Sequence, residues 1–309
     1  MLSITEKILF AAATLVSLYF TYRGGQRIVR NIASGGGKAA WGVIWQRIGE
    51  LIAKVGLFQP VFRLRLGPSI LHGLIGWGFI VFLVVNLNDL VYGYTGFSIL
   101  NSTGVIGNLY RLLADIANAA IIIGIIGMVI RRFALRPATL TTRDTTLLHP
   151  KARFGIMRDS AIVASFIFIH NAARFLGESF KLAAEGVRDS WQPIVSAAAS
   201  LWAGSAPNAL VIGEHIMFWA SLGAVLAFLP YFPISKHIHL FFAPINFALK
   251  PKRRSIGDDG SQIMWYIRIE TCGIGPASGS PRARGRFVPA LGGKYKASFK
   301  KADGFGTGA

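Results

Sequence analysis

Five apolar blocks, each long enough to cross a lipid bilayer, constrain this chain more than any motif it carries. A hydrocarbon core of ~30 Å takes about 20 residues of helix at ~1.5 Å per residue. The blocks run roughly over residues 4–22, 67–92, 109–130, 160–183 and 209–231. Backbone polar groups in lipid must be satisfied within the segment, so unbroken apolar runs of this length predict transmembrane helices. The predicted fold is therefore an all-α membrane protein, a five-span transmembrane helix bundle. Composition agrees, with 52% of residues hydrophobic and 15% charged, and the two classes kept in separate blocks.

The loops set the expected orientation. The first, over 23–65, carries Arg23, Arg27, Arg30, Lys38, Arg47, Lys54, Arg63 and Arg65 against Glu50 alone, and the second, over 93–108, has no charge. The third, over 131–159, carries Arg131, Arg132, Arg136, Arg143, Lys151, Arg153 and Arg158, whereas the fourth has Arg188 beside Glu185 and Asp189. Basic loops stay in the cytoplasm, which predicts an outside N-terminus and a cytoplasmic C-terminus. The same distribution accounts for the formal charge of +19 without a nucleic-acid partner. The first block lacks a signal-peptidase pattern and reads as a retained helix. The single cysteine, Cys272, excludes an intrachain disulfide and any iron–sulfur cluster held by this chain's cysteines alone.

Two regions lie outside the spans. Trp41, Ile44, Trp45, Ile48, Leu51, Ile52 and Val55 recur at helical spacing within about 37–57, which predicts a helix in the membrane interface or packed on the bundle surface. Residues 251–309 are rich in Gly, Ser, Ala, Arg and Lys without an apolar period. They read as a basic, poorly ordered cytoplasmic tail following a membrane domain over 1–250. A second reading is a truncated or frameshifted coding sequence, since out-of-frame GC-rich coding has this composition.

Histidines carry the chemistry. His237 and His239 lie in PYFPISKHIHLFFAPIN, where the fifth span leaves the hydrocarbon, and His72 lies near the basic end of the second span. Ionisable groups at such depths mark functional sites, and a neutral imidazole is a common metal ligand. On a helix, residues two apart point about 200° from each other, so one of the pair faces the bundle. His239 is the choice, with His237 in reserve. His170 and His215, counted from the ends of the fourth and fifth blocks, differ in depth by only ~6 Å, giving a second candidate pair nearer the outer side. His149, beside Pro150 in a charged loop, is a solvated residue.

Two imidazoles per iron are what a low-spin b-type haem needs, and two haems stacked across the bilayer form an electron path. Zinc would want three or four ligands at one level, and a di-iron desaturase needs more cytoplasmic histidines than this chain has. Arg174, one turn beyond His170, and Arg63, Arg65 or Lys236 near the inner pair are candidates to meet haem propionates. Gly73, Gly76 and Gly78 would let a porphyrin approach the second helix. Asp89, Asp115, Glu178, Lys181 and Glu214, near the outer ends of their spans, are candidate proton carriers for a quinone.

The runs FPISKHIHLFFAPIN and GPSILHGLIGWGFIVF, with the five-span plan, resemble the membrane cytochrome b subunit of respiratory nitrate reductase. They resemble still more the membrane domain of heterodisulfide-reductase-like iron–sulfur oxidoreductases. The resemblance covers about residues 1–250. It implies a quinone-reactive dihaem cytochrome of the prokaryotic cytoplasmic membrane. Such a subunit passes electrons between menaquinone or ubiquinone and a cytoplasmic iron–sulfur partner. By motif position His239 and His72 correspond to family ligands. The nitrate-reductase subunit has a second histidine farther along the second helix, where this chain reads WGFIVFLVVN. The outer pair must then be His170 and His215, or the chain holds one haem. The cysteine motifs that follow the membrane domain in larger relatives are missing, so the clusters belong to a separate subunit or to the rest of a fused protein. The expected function is an electron-transfer subunit. The alternatives are a cofactor-free membrane anchor or assembly subunit, and a proton-coupled transporter.

Overall fold

A computed structural model describes residues 3–34, 41–62, 65–98, 104–140, 146–147 and 149–249. All regular structure among them is helical. In chain order the α-helices are α1 (Ile4–Ala33), α2 (Trp41–Gln46), α3 (Ile48–Leu51), α4 (Gln59–Phe62), α5 (Leu66–Thr95), α6 (Val105–Val129), α7 (Pro150–Glu185), α8 (Pro193–Ala199), α9 (Pro207–Phe228) and α10 (His239–Leu249). Five are long and apolar enough to cross a membrane: α1, α5, α6 with its π-helical continuation to Leu135, α7 and α9. The chain is an integral membrane protein. The predicted tail over 251–309 and Arg63 lie outside the described residues.

Backbone contacts divide the chain into two units, Met1–Arg30 with Gly49–Pro244, and Asn31–Ile48 with Ile245–Ala309. Within the second, Arg47 Nη1 donates to the Ala248 carbonyl at 3.4 Å. The predicted interfacial helix is helical but broken at Arg47, into α2 and a second piece made of α3 and a π-turn over Ile52–Gly56.

The span ends follow local chemistry. Proline opens α7, α8 and α9 at the first helical position, where its missing N–H costs nothing. Gly96 and Gly186 close α5 and α7 with φ of 72° and 64°, the left-handed conformation that only glycine adopts cheaply. α1 and α7 run about ten residues past the apolar blocks, into Arg-bearing sequence. Helical hydrogen bonding continues in water, so hydropathy marks the lipid boundary and not the helix end.

Small residues set the packing of the first unit. α5 lies against α6, and α7 against α9, with α6 bridging to α7. A methyl group added at Gly78 would overlap Ile121. One at Gly124 would lie 2.9 Å from the Leu71 carbonyl. One at Gly213 would lie 3.0 Å from the Phe180 ring. Close backbone approach through glycine is how helices gain contact in lipid, where there is no hydrophobic drive between them. α1 is peripheral, most of its apolar side chains being exposed for lipid. Ser17 Oγ, donating to the Leu226 carbonyl at 2.7 Å, and the edge-on contacts of Phe10 with Tyr94 and Trp219 attach it.

Candidate functional site

At the end of the bundle bearing the Arg-rich loops, the chain turns sharply after α9. Two single 3-10 turns, Phe232–Ile234 and Lys236–Ile238, replace a continuous helix before α10 starts at His239. Asp159 on α7 fixes this corner. Its Oδ1 accepts from Tyr231 Oη at 2.7 Å and its Oδ2 accepts from the Lys236 backbone at 3.3 Å. Lys236 Nζ donates to the Ile156 carbonyl at 3.0 Å and to Ser160 Oγ at 3.1 Å, so this candidate propionate partner is tied to α7. Burial lowers the Lys236 ammonium, while burial and the Asp159 hydrogen bond push the Tyr231 phenol up to about 12.

The corner brings His239 to His72 of α5, with ring centres 6.3 Å apart and planes at 48°. Two imidazoles on opposite faces of one iron, each with a metal–nitrogen bond of about 2 Å, have ring centres about 6 Å apart. Rotation about that axis leaves the angle between the planes free. His239 Nδ1 lies 2.7 Å from the Lys236 carbonyl. A hydrogen bond there puts the proton on Nδ1 and leaves the Nε2 lone pair for a metal. His72 Nδ1 is buried without a hydrogen-bond partner, a condition that costs roughly 1–3 kcal/mol unless a ligand reorganises the site. The residues fit a bis-imidazole iron.

The surroundings are aromatic. Phe58, whose backbone φ of 49° is unusual for a residue with a side chain, sets its ring edge-on to His72 at 5.6 Å and over Gly76, where a methyl group would overlap it. His237 is buried among the edges of Phe79, Phe228 and Phe232. Burial and, after it, the neighbouring His239 hold the His237 imidazole down at about 4, so it is neutral near pH 7. Its ring centre is 6.1 Å from that of His239, and the two rings are nearly perpendicular.

The second predicted pair is not brought together. His170 lies opposite Ser221 of α9, with Nδ1 3.0 Å from the carbonyl and 3.1 Å from Oγ. Its ring sits between Phe82 and Phe166, and its Nε2 is buried without a partner. His215 is six residues, or ~9 Å of helix rise, away from Ser221. There it lies 3.9 Å from Glu6 of α1, whose other oxygen accepts from Trp219 Nε1 at 3.1 Å. Arg174 is committed to Asp89 of α5, 2.8 Å away, over the Phe82 ring.

Arg174 belongs to a polar cavity at the other end of the bundle, which it lines with Asp89, Tyr110, Glu178, Lys181 and Glu214. Lys181 pairs with Glu178 at 3.5 Å. Asp115 has a structural task, since its two oxygens accept from the Ile194 and Val195 N–H groups at 2.8 and 3.1 Å and cap α8. Tyr110 and Gln192, which also line the cavity, carry no sequence signal, because a Tyr in an apolar run reads as an interface anchor.

Searches with protein-family models, curated proteins and solved structures return no match. Among the described residues no group of three or more His, Cys, Asp or Glu could hold a metal ion. His72 and His239 are the imidazoles from separate helices that the structure brings together.

Proposed function

We propose that this chain is a b-type cytochrome with one haem between His72 and His239. It exchanges electrons between the membrane quinone pool and a cytoplasmic iron–sulfur oxidoreductase of the heterodisulfide-reductase-like kind. The observation that carries the reading is the 6.3 Å separation of two imidazoles from distant parts of the chain. A bound b-type haem supplies one-electron exchange at its iron. His239, oriented through Nδ1 by the Lys236 carbonyl, and His72 would hold the iron. Phe58 packs edge-on against His72, while Phe79, Phe228 and Phe232 surround the neighbouring His237.

Under the positive-inside rule the His72–His239 end faces the cytoplasm. Its Arg131, Arg132, Arg136, Arg153 and Arg158 would draw an acidic partner to the haem side. The polar cavity at the opposite end suits a quinone, which exchanges protons as well as electrons. The chain thus belongs to a quinone-dependent complex of the prokaryotic cytoplasmic membrane.

The test is a reduced-minus-oxidised spectrum with pyridine haemochrome quantitation on the purified full chain. About one b haem per chain is expected, as a single axial pair requires. It is lost in His72→Ala and in His239→Ala. Wild-type protein without a Soret band, or variants with undiminished haem, would leave the cofactor-free anchor reading in its place.

A further inference from the structure

Of the two imidazoles assigned to the iron, only one is set by a hydrogen bond. His239 has the Lys236 carbonyl at its Nδ1, whereas Nδ1 of His72 is buried without a partner. The outer torsion of a histidine side chain has a broad energy well, and the ring of a metal-ligating histidine is ordinarily fixed by the contact its second nitrogen makes. His72 has no such contact. What lies against its ring instead is Phe58, edge-on, with ring centres 5.6 Å apart and planes at 78°, a geometry that aromatic pairs favour.

Phe58 reaches His72 through a notch in α5. Gly76 is one turn from His72 on the same face, and a methyl group there would overlap the Phe58 ring. The strap that carries Phe58 is fastened to α5 at Trp77, whose Nε1 donates to the Gly56 carbonyl at 2.8 Å. Trp77 also meets the Phe58 ring at 5.8 Å and stacks on Phe62 at 5.9 Å, with planes at 19°. Phe62 in turn covers Gly73, where a methyl group would lie 3.3 Å from its ring. The chain enters the strap through the π-turn over Ile52–Gly56 and holds Phe58 at its φ of 49°. A left-handed backbone is strained for a residue with a side chain and persists where the surroundings over-determine it. Notch, indole and strained backbone all converge on the place of one ring. Resting on the function proposed above, we infer that Phe58 is the positioning residue of His72. It fixes the rotation of that imidazole by contact, as the Lys236 carbonyl fixes His239 by a hydrogen bond.

The experiment uses the purified full chain in lipid nanodiscs. Low-temperature electron paramagnetic resonance of the ferric protein reads the site, because the largest g value of a bis-imidazole iron follows the angle between the two ring planes. Haem loss to apomyoglobin is the second readout, and a thermal melt is the control. Phe58→Ala is expected to shift the largest g value and to speed haem loss up to about 10-fold, the scale of one aromatic contact. Gly76→Ala should reproduce that shift by pushing the Phe58 ring out of its notch. Phe58→Tyr keeps the ring and should keep the wild-type spectrum. Phe58→Gly removes the ring but relieves the positive φ, so it should melt at or above Phe58→Ala while showing the same shifted spectrum. Wild-type g values in both Phe58→Ala and Gly76→Ala overturn the positioning role. So does a spectrum that recovers in Phe58→Gly together with the melting temperature, the mark of a contribution to stability only. A wild type without haem sinks the cytochrome reading and the positioning role together, whereas a haem-bearing wild type whose spectrum survives both substitutions sinks the positioning role alone.

Discussion

His170 Nδ1 and the carbonyl of Ser221 are 3.0 Å apart, across α7 and α9. This contact puts His170 level with Ser221 and leaves His215 to Glu6, so the bundle offers one imidazole pair and not two. His170→Ala and His215→Ala should therefore keep the wild-type haem content. His170→Ala should lower thermal stability by about 1–2 kcal/mol through the lost hydrogen bond and packing. Haemochrome quantitation with a thermal melt checks both, and loss of half the haem in either variant would restore the two-haem reading.

The ion pair of Arg174 and Asp89 should be costly to break from one side. Both side chains are largely removed from water, and an uncompensated buried charge costs about 3–5 kcal/mol. Asp89→Asn should destabilise strongly, and the double variant Asp89→Asn with Arg174→Met much less. Equal melting losses in the single and double variants would contradict this.

Gly78 is expected to tolerate no side chain. Gly78→Leu drives into Ile121 and should cost about 1–3 kcal/mol or more as overpacking. Gly67→Ala, where an added methyl group meets nothing within 4 Å, should be neutral or stabilising. Melting temperatures in one detergent compare the two, and a neutral Gly78→Leu would mean that α5 and α6 do not approach there.

Tyr231 gives a pH signature. Its folded-state phenol is pushed up to about 12, against about 10 in an unfolded chain. The folded state holds the proton more tightly, so the stability contributed by the Tyr231–Asp159 clasp is complete below pH ~10 and is lost as pH rises through ~12. Tyrosinate absorbance should show a late-titrating phenol that is absent from Tyr231→Phe. A wild-type titration that ends with the ordinary tyrosines would contradict the clasp.

Much of this architecture was legible in the sequence. The five spans follow from hydropathy, and the His72–His239 pair follows from depth, because both lie near apolar-block ends on the same side. The His170–His215 pairing fails for a physical reason. α7 starts at Pro150, ten residues before its block turns apolar, and α9 at Pro207. Helix tilt and relative slide then decide which residues share a level, and these depend on glycine contacts such as Gly177 with Met217. The cavity was half legible. Asp89, Glu178, Lys181 and Glu214 are charges in apolar sequence, but that Asp115 caps α8 while the other four line one cavity is a tertiary fact.

The length of α7 has a mechanical consequence. Its 36 residues make a rod of roughly 54 Å, well beyond the ~30 Å of a hydrocarbon layer. The overhang at its Pro150 end carries Arg153 and Arg158 and reaches down to Asp159, which grips the corner where His239 begins α10. A load on that overhang would be carried along a stiff rod whose pivot is the corner that sets His239, so the helix end and the imidazole move as one lever.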